Sequence, residues 1–347
     1  MPVPNEPFHD AFACSPIPRP RLLGLQSGSV APPPAPLPRD LRDALDDLLT
    51  RAFAEDGEDV TSLAVFGPAT RVRATMVCRE RAVVAGTAFL PRLFSFLHPP
   101  AAVEGLVADG TRVRPGTALA RIEGPAITVL AAERTALNLV QRLSGIATAT
   151  RAFIDALRGT KAVLLDTRKT APGLRLFERY AVRCGGGTNH RFGLAHGFLV
   201  KDNHADGAGS VWEATRRVAD FRALNRRLAR HLLEVEARTL DEVHQALDAG
   251  AERILLDNMD LPAMRRAVKD VALFREATGH EVTVEASGRM TPAKARAAAR
   301  AGVDFVSAGA ITHSARAVDI ALDVGGARTP GFPLPPPRPR RGAGRRR

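Results

Sequence analysis

The sequence predicts an α/β protein in which a mixed α+β segment precedes a barrel of repeated strand–helix units. Three observations support this fold class. Residues 40–125 mix helical and strand patterns, residues 162–308 contain six short apolar runs that are mostly separated by helical segments, and proline is concentrated at both ends of the chain. Six strand–helix units in series favour a parallel sheet rolled into a barrel.

The composition limits the class of protein. The 347 residues, 45% hydrophobic and 25% charged, are ordinary for a globular protein of two domains. No uninterrupted apolar run approaches the ~18 residues of a membrane span, so we expect no membrane partner. Cys14, Cys78 and Cys184 lack CxxC spacing, and the first residues lack a basic stretch followed by an apolar run. We therefore expect a cytoplasmic protein without a disulfide framework.

The net charge of +12 could indicate nucleic-acid binding, so its location matters. Eleven of the 26 prolines lie in residues 1–39 and six in residues 330–347. We interpret residues 1–39 as a disordered arm and residues 326–347 as a disordered tail. Six arginines in the last 18 residues supply half of the excess charge, and Phe332 is the single aromatic residue there. Base stacking is therefore not indicated, and we expect no nucleic-acid partner.

Residues 40–139 are predicted to form the N-terminal domain. Apolar residues recur at helical spacing over 40–57, with Asp40 as the helix cap and Gly57 at the end. The other predicted elements are strands at 71–78, 103–107 and 117–122, a short helix at 87–97, and a long helix at 126–158 that is broken near Ser144 and Gly145.

Residues 140–325 are predicted to form the barrel domain, and its C-terminal end is placed either there or back on the N-terminal domain. The strands of the barrel are predicted at 162–166, 197–200, 232–236, 253–257, 282–286 and 303–308, and helices at 240–249, 261–278 and 291–301.

Polar residues follow these strands at the edge where barrel enzymes place their active sites. They are Asp166, Arg168 and Lys169; Lys201 to His204; Glu234 and Glu236; Asp257 and Asn258; Glu285, Ser287 and Gly288; and Ser307 and Gly309. The early strands supply cations, the middle strands supply carboxylates, and the last turns can hold a phosphate. This combination indicates phosphoribosyl chemistry.

Residues 183–191, RCGGGTNHR, add His190 and Arg191 as neighbouring donors. Their three glycines permit a close approach of the backbone or unusual dihedral angles, and a flexible loop is an equal alternative. The sequence contains no Walker loop, HExxH or GxSxG motif, and no GxGxxG after a strand. A hard cation held by carboxylates and substrate phosphates remains possible.

At these residues the sequence resembles the quinolinate phosphoribosyltransferases, the carboxylating nicotinate-nucleotide pyrophosphorylases, over roughly 40–325. The motifs that carry the resemblance are EDVTS (58–62), ERTALNLVQRLSGIAT (133–148), DTRKTAPGLR (166–175), YAVRCGGGTNHR (180–191), KDNH (201–204), EVE (234–236), LLDN (255–258), EASG (285–288) and SAGAITHS (307–314). Many long motifs in one order make the resemblance specific.

The resemblance implies an incomplete TIM-like barrel with an N-terminal α+β open-sandwich domain. It also implies a homodimer in which each subunit completes the site of the other. The implied reaction converts quinolinate and phosphoribosyl pyrophosphate to nicotinate mononucleotide, pyrophosphate and CO₂ with Mg²⁺, as a step of NAD biosynthesis.

The resemblance also assigns residues. Lys169, Lys201, Glu236 and Asp257 are expected to be catalytic. Arg168, His190, Arg191 and Lys201 are expected around the quinolinate carboxylates, with Arg134 reaching in from the partner subunit. Lys169 is expected near substrate or pyrophosphate, Glu236 and Asp257 near the ribose and Mg²⁺, and Ser287, Gly288 and Gly309 around the 5′-phosphate.

One residue departs from the family pattern, and three other functions compete with the implied reaction. Arg289 stands where the family usually has a second glycine after Ser-Gly, so the phosphate loop is altered there. The rivals are a molybdenum-utilisation paralogue of the same fold, disfavoured by Lys201 to His204; nicotinate phosphoribosyltransferase, whose substrate needs fewer cations; and a non-enzymatic basic binding protein, which has no use for Glu236 and Asp257.

Overall fold

The computed structural model describes residues 37–325, so the predicted tail and all but the last three residues of the predicted arm lie outside the described residues. The first part of the chain forms α1 (Arg39–Asp56), α2 (Val60–Val65), β1 (Arg71–Cys78), β2 (Ala82–Val83), α3 (Leu90–Phe96), β3 (Ala102–Glu104), β4 (Arg112–Val113), β5 (Thr117–Pro125) and α4 (Ala126–Ala156), with a 3₁₀ turn at Thr87–Phe89.

The second part alternates strands and helices. It forms β6 (Val163–Leu165), α5 (Arg175–Cys184), β7 (Phe198–Val200), α6 (Asp202–Ala208), α7 (Val211–Leu224), β8 (Leu233–Ala237), α8 (Leu240–Asp248), β9 (Arg253–Asp257), α9 (Leu261–Thr278), β10 (Thr283–Ser287), α10 (Pro292–Ala301), β11 (Phe305–Ser307), α11 (Ala310–His313) and β12 (Ile320–Val324).

Two main sheets organise these elements. A four-stranded antiparallel sheet has the order β12-β1-β5-β3, and a six-stranded parallel sheet has the order β6-β11-β10-β9-β8-β7. The predicted α/β class with an incomplete barrel is confirmed, because β6 and β7 are the edges of the parallel sheet and do not pair with each other. The last strand, β12, returns to the N-terminal sheet, where Val324 lies opposite Ala74.

The barrel helices begin and end at residues suited to those positions. Asp260 accepts a hydrogen bond from the Ala263 amide at the start of α9, and Gly279 ends the helix with a φ of 70°. In α1 the expected cap is wrong: Pro38 is the N-cap, and Asp40 lies inside the first turn, where its charge favours the helix dipole.

The predicted break in the long helix is also wrong, since α4 continues for 31 residues through Ser144 and Gly145. These two residues serve packing instead. The Ser144 hydroxyl binds the backbone of Ala85, and a Cβ on Gly145 would lie 2.1 Å from the carbonyl oxygen of Arg316. The helix crosses the predicted domain boundary at 139/140 and contacts strands β1, β5 and β12 of the antiparallel sheet and helices α5 and α10 that flank the parallel sheet.

The three consecutive glycines form a tight turn against α4. A Cβ on Gly185 would lie 2.5 Å from the carbonyl oxygen of Ala147, and one on Gly187 would lie 2.9 Å from the Thr150 side chain. Gly186 has a φ of 94°, which glycine adopts readily. The interpretation as a close approach with unusual dihedrals is therefore confirmed, because packing on a helix and the positive φ of Gly186 account for the glycines.

Candidate active site

The expected site residues come from successive strands of the parallel sheet. Arg168 and Lys169 follow β6, Lys201 follows β7, Glu236 lies in β8, Asp257 and Ser287 end β9 and β10, and Gly309 follows β11. Because the carboxyl ends of parallel strands meet at one edge of a sheet, these residues share that edge. It is the edge at which barrel enzymes bind their substrates.

A short segment at 189–191, here called the NHR loop, is anchored by the buried ion pair of Asp166 and Arg179. Asp166 accepts the His190 amide at 2.7 Å and the Asn189 side chain at 2.6 Å. Arg179 of α5 lies 3.4 Å from the Asp166 carboxylate and donates to the His190 carbonyl oxygen at 2.7 Å. The loop is therefore fixed to the end of β6.

Burial raises the pKa of Asp166, and Arg179 and the amide of His190 oppose that rise. Asp166 is predictable from its place after a strand, whereas Arg179 is not, since an arginine in ERYAVR resembles a solvated helix residue. Glu178 is likewise not predictable from the sequence; it is fully buried and accepts from Arg142 Nε at 2.8 Å and from the Ala171 amide at 3.3 Å. Glu178 thereby holds the loop that carries Arg168 and Lys169.

The His190 ring lies among buried carboxylates. Its Nε2 is 3.1 Å from Glu234 Oε2 and 3.6 Å from Glu285 Oε2. Burial alone would lower the pKa of His190, but the hydrogen bonds and charges of Glu234 and Glu285 raise it to about 9. The Arg191 amide lies 2.7 Å from Nδ1 and opposes a second ring proton.

Arg191 and Arg168 form a pair of like charges. Burial and the neighbouring Arg168 charge lower the pKa of Arg191, whose guanidinium donates to the Gly197 carbonyl oxygen at 2.8 Å. The Nε of Arg168 is buried and has no hydrogen-bond partner within residues 37–325. Two adjacent cations with an unused donor favour an anionic ligand.

Lys201 reaches the carboxylate side of the site. Its Nζ lies 3.2 Å from Glu236 Oε2, and the lysine side chain is 45% exposed while that of Glu236 is 9% exposed. The Lys201 backbone amide donates to His204 Nδ1 at 3.0 Å and so fixes the first turn of α6. Lys201 is therefore available to a ligand while its carboxylate partner is held in the sheet.

The ends of β9 and β10 lie side by side, with Asp257 opposite Ser287. Asn258 donates its amide to the Ser287 carbonyl oxygen at 3.1 Å, and a Cβ on Gly288 would lie 2.3 Å from Asn258 Oδ1. Only glycine fits at 288. Arg289, next in the chain, has a φ of 38°, a conformation that costs a non-glycine residue free energy.

Lys169 meets the last turn of the site. Its carbonyl oxygen accepts from the Thr312 hydroxyl at 2.8 Å, and a Cβ on Gly309 would lie 2.9 Å from Lys169 Cδ.

Arg134 does not share this edge of the parallel sheet. It lies on α4, is exposed, and makes no ion pair with a described residue.

The carboxylates offer two groupings for a cation. Donor atoms of His190, Glu234 and Glu285 lie within 4.8 Å of one another, but the contacts with His190 and with Arg253 already balance those charges. Glu236 and Asp257, at the ends of neighbouring strands, have carboxylate oxygens of the kind that Mg²⁺ prefers.

No helix in the described part of the chain has the length and apolar character that crossing a membrane requires.

The fold and site define a two-domain α/β enzyme that gathers cations and carboxylates at one edge of an open barrel for a polyanionic substrate. Family models agree: the quinolinate phosphoribosyl transferase C-terminal domain matches residues 146–323, and the N-terminal domain matches residues 59–144. The chain belongs to the quinolinate phosphoribosyl transferase family.

Individual proteins are similar over most of their lengths. The nicotinate-nucleotide pyrophosphorylase [carboxylating] of Mycobacterium leprae is 42% identical over 290 residues, which are 81% of this chain and 98% of that protein. The probable enzyme of Bacillus subtilis is 38% identical over 81% of this chain and 93% of its own. The nicotinate-nucleotide pyrophosphorylase structure from Francisella tularensis aligns with a TM-score of 0.72 at 33% identity, covering 83% of this chain and 98% of that one.

Proposed function

We propose that this protein transfers the phosphoribosyl group of phosphoribosyl pyrophosphate to quinolinate and releases nicotinate mononucleotide, pyrophosphate and CO₂, a step of NAD biosynthesis. The observation that carries the proposal is the neighbouring pair Arg168 and Arg191, together with Lys201, which lies 3.2 Å from Glu236 of β8 at the same edge of the sheet; these three cations are called the cationic corner below. The curated relatives bear the name of this reaction.

Quinolinate carries two adjacent carboxylates, and the cationic corner matches that charge. Arg168 offers a buried, unpartnered Nε, and Arg191 is fixed by the Gly197 carbonyl oxygen. Guanidinium groups bind carboxylates through paired hydrogen bonds. The corner therefore orients the pyridine ring so that its nitrogen faces the ribose.

The sugar pyrophosphate is assigned to the other half of the edge. We assign the turns at Ser287, Gly288 and Gly309 to the 5′-phosphate, because backbone N–H groups at such turns can bind an anion, and we assign Lys169, which packs against Gly309, to the pyrophosphate. As the C1–oxygen bond to pyrophosphate breaks, positive charge develops on the ribose. Glu236 and Asp257 stabilise that charge electrostatically, and the quinolinate nitrogen forms the new bond to C1.

Mg²⁺ is the proposed cofactor. Glu236 and Asp257 would hold it, partly through water or substrate oxygens, and their carboxylates fit a hard cation. When bound, the ion neutralises charge on the leaving pyrophosphate.

Decarboxylation follows the transfer. The electron pair of the breaking C–C bond stays on the ring carbon next to the nitrogen, where the positive charge of the pyridinium nitrogen stabilises it; CO₂ departs, and the same electron pair then takes a proton from solvent. Arg168, Arg191 and Lys201 keep the ring in place through this step.

A homodimer is proposed as the working unit, with Arg134 entering the site of the partner. Two observations support it. Arg134 is exposed and makes no ion pair within residues 37–325, and α2, which contacts α4, exposes Val60, Leu63 and Val65 by 67%, 50% and 66%. Apolar side chains exposed together are typical of a protein interface.

The deciding experiment incubates the protein with phosphoribosyl pyrophosphate, Mg²⁺ and either quinolinate or nicotinate, and measures CO₂ and nicotinate mononucleotide. We expect product and stoichiometric CO₂ from quinolinate. Product from nicotinate alone would assign the protein to nicotinate phosphoribosyltransferase, and no product from either substrate would favour the molybdenum-utilisation paralogue.

The cytoplasm remains our proposed compartment; the relative from rice is named as chloroplastic.

A further inference from the structure

The His190 ring joins the buried carboxylates to the cationic corner. Its Nε2 faces Glu234 at 3.1 Å and Glu285 at 3.6 Å, and both of these side chains are at most 1% exposed. Its other nitrogen, Nδ1, faces the Arg191 amide at 2.7 Å. One edge of the ring is therefore fixed by buried carboxylates, while the other faces the backbone of Arg191, a residue that we assign to the quinolinate carboxylates.

The charges around the ring favour its cationic form. Glu234 faces it from β8 and Glu285 from β10, and Arg253 of β9 lies 3.5 Å from Glu285. Asp166 and Arg179 bind the backbone of His190. Glu285 also has a buried Oε1 without a hydrogen-bond partner among residues 37–325, so one carboxylate of the group has unused capacity to stabilise a cation.

The Arg191 amide acts in the opposite direction. A proton on Nδ1 would point at the amide hydrogen, and two donors 2.7 Å apart repel each other unless an acceptor binds both. A carboxylate oxygen is such an acceptor. An anion at this position removes the repulsion and uses both N–H groups.

We propose that Glu234 and Glu285 are positioning residues that fix the His190 ring through Nε2 and stabilise a second proton on Nδ1, so that the charged ring and the Arg191 amide together bind one carboxylate of quinolinate. This inference rests on the proposed function, because it deepens the account of the same substrate site. The proton taken up on Nδ1 comes from solvent, and no substrate bond changes in this step.

Binding and protonation are then linked. If quinolinate binds the charged ring more tightly than the neutral ring, bound quinolinate must lower the acid dissociation constant of His190 by the same factor, and so raise its pKa. Each tenfold preference corresponds to one pH unit. The affinity for quinolinate must also decline as pH rises through the titration of His190 in the free protein.

The first test uses the wild-type protein with ¹⁵N-labelled histidine. His190 is assigned among the nine histidines by its loss in His190→Asn, and the ring is titrated with and without quinolinate in the absence of phosphoribosyl pyrophosphate. We expect quinolinate to raise the titration midpoint by at least one pH unit, with both ring nitrogens protonated in the complex. An unchanged midpoint, or an Nδ1 that stays unprotonated in the complex, would overturn the inference.

The second test measures the dissociation constant of quinolinate against pH in Glu285→Gln and Glu234→Gln. Removing a carboxylate destabilises the charged ring, so the loss of affinity should begin at least one pH unit lower than in the wild type. The matched control is Asp270→Asn, which breaks the exposed His244–Asp270 contact, also 3.1 Å long, and should leave the curve in place. A uniform loss of affinity with an unmoved midpoint would indicate a merely structural role and contradict the proposal.

The two proposals fail in different ways. If the protein makes nicotinate mononucleotide but quinolinate does not shift the titration midpoint of His190, only this inference is refuted. A protein that neither binds quinolinate nor forms product refutes the proposed function.

Discussion

Arg168 and Arg191 stand as a half-buried pair of like charges, and the dianion we assign to them offsets their repulsion. In Arg168→Ala we expect KM for quinolinate to rise about 30- to 150-fold, since a hydrogen bond to a charged group contributes about 2–3 kcal/mol. KM for phosphoribosyl pyrophosphate should change much less. Steady-state kinetics with each substrate varied in turn checks this.

The control for this prediction is Arg216→Ala. Arg216 forms an exposed pair with Asp220 one turn along α7, so its loss should leave both KM values unaltered. Equal effects of Arg168→Ala on the two KM values would place Arg168 away from the quinolinate carboxylates.

Arg289 has a backbone conformation that suits glycine, with a φ of 38°. Arg289→Gly should therefore stabilise the protein by about 1 kcal/mol, and raise Tm by roughly 2–4 °C in a differential scanning experiment. Arg289→Ala keeps the strained φ and should not show the gain. A Tm that falls in the glycine variant would mean that the arginine side chain stabilises the loop by more than its backbone costs.

At the scale of single residues, the sequence predicted the position of polar side chains that directly follow or end an apolar strand. Arg168, Lys201, Glu236 and Asp257 each follow or end an apolar run, so their place in the barrel was predictable. Arg179 and Glu178 were not, because their burial depends on the packing of α5 against α4, which no local pattern encodes.

Among the elements, α4 links the two parts of the chain, because this uninterrupted helix contacts the antiparallel sheet as well as helices α5 and α10 beside the parallel sheet. Gly145→Ala should place a methyl group where the Arg316 carbonyl oxygen now lies, 2.1 Å away. We expect a loss of at least about 2 kcal/mol and a fall in Tm of roughly 4 °C or more. Chemical and thermal unfolding both measure this.

The matched control is Gly207→Ala in α6, where an added Cβ meets no atom within 4 Å. Because alanine favours helix more than glycine, this variant should be neutral or slightly more stable. If the two alanine variants unfold alike, the close approach at Gly145 is not what selects glycine there.

Sequence patterns predicted elements well where capping and periodicity agreed, as for α9 between Asp260 and Gly279. They failed where glycine was placed for packing. Gly145 resembles a helix breaker, yet it packs against the Arg316 backbone, and the sequence left open whether Gly185 to Gly187 make a close contact or form a flexible loop. The partner of that contact lies far away in the sequence, so local analysis could not distinguish the alternatives.

For the whole molecule, the proposed sharing of Arg134 can be tested with two inactive variants. In a heterodimer of Arg134→Ala and Lys201→Ala, a shared site leaves one site intact and one doubly impaired. Statistical re-equilibration of equal amounts should therefore restore about one quarter of wild-type activity.

Heterodimers are verified with two affinity tags before the assay. Recovered activity in the doubly tagged fraction is the expected result. Inactivity of verified heterodimers would mean that each subunit builds its site from its own residues, and that the exposed Arg134 serves another purpose.

Across the molecule, the net charge of +12 has two sources that the sequence already separated. The arginines of the last 18 residues lie outside the described residues, while Arg168, Lys169, Arg191 and Lys201 share one edge of the parallel sheet. What the sequence did not determine is how the two sheets are joined, because that depends on a pairing between opposite ends of the chain.

That pairing bears on how the protein is made. Strand β1 ends at Cys78, yet its partner β12 begins only at Ile320. A chain emerging from the ribosome therefore completes its parallel sheet first and presents β1 as an open edge until residues 320–324 are synthesised. Open edges recruit other strands. The nascent protein is thus vulnerable to aggregation through its earliest strand, and this vulnerability ends only when its last strand is released.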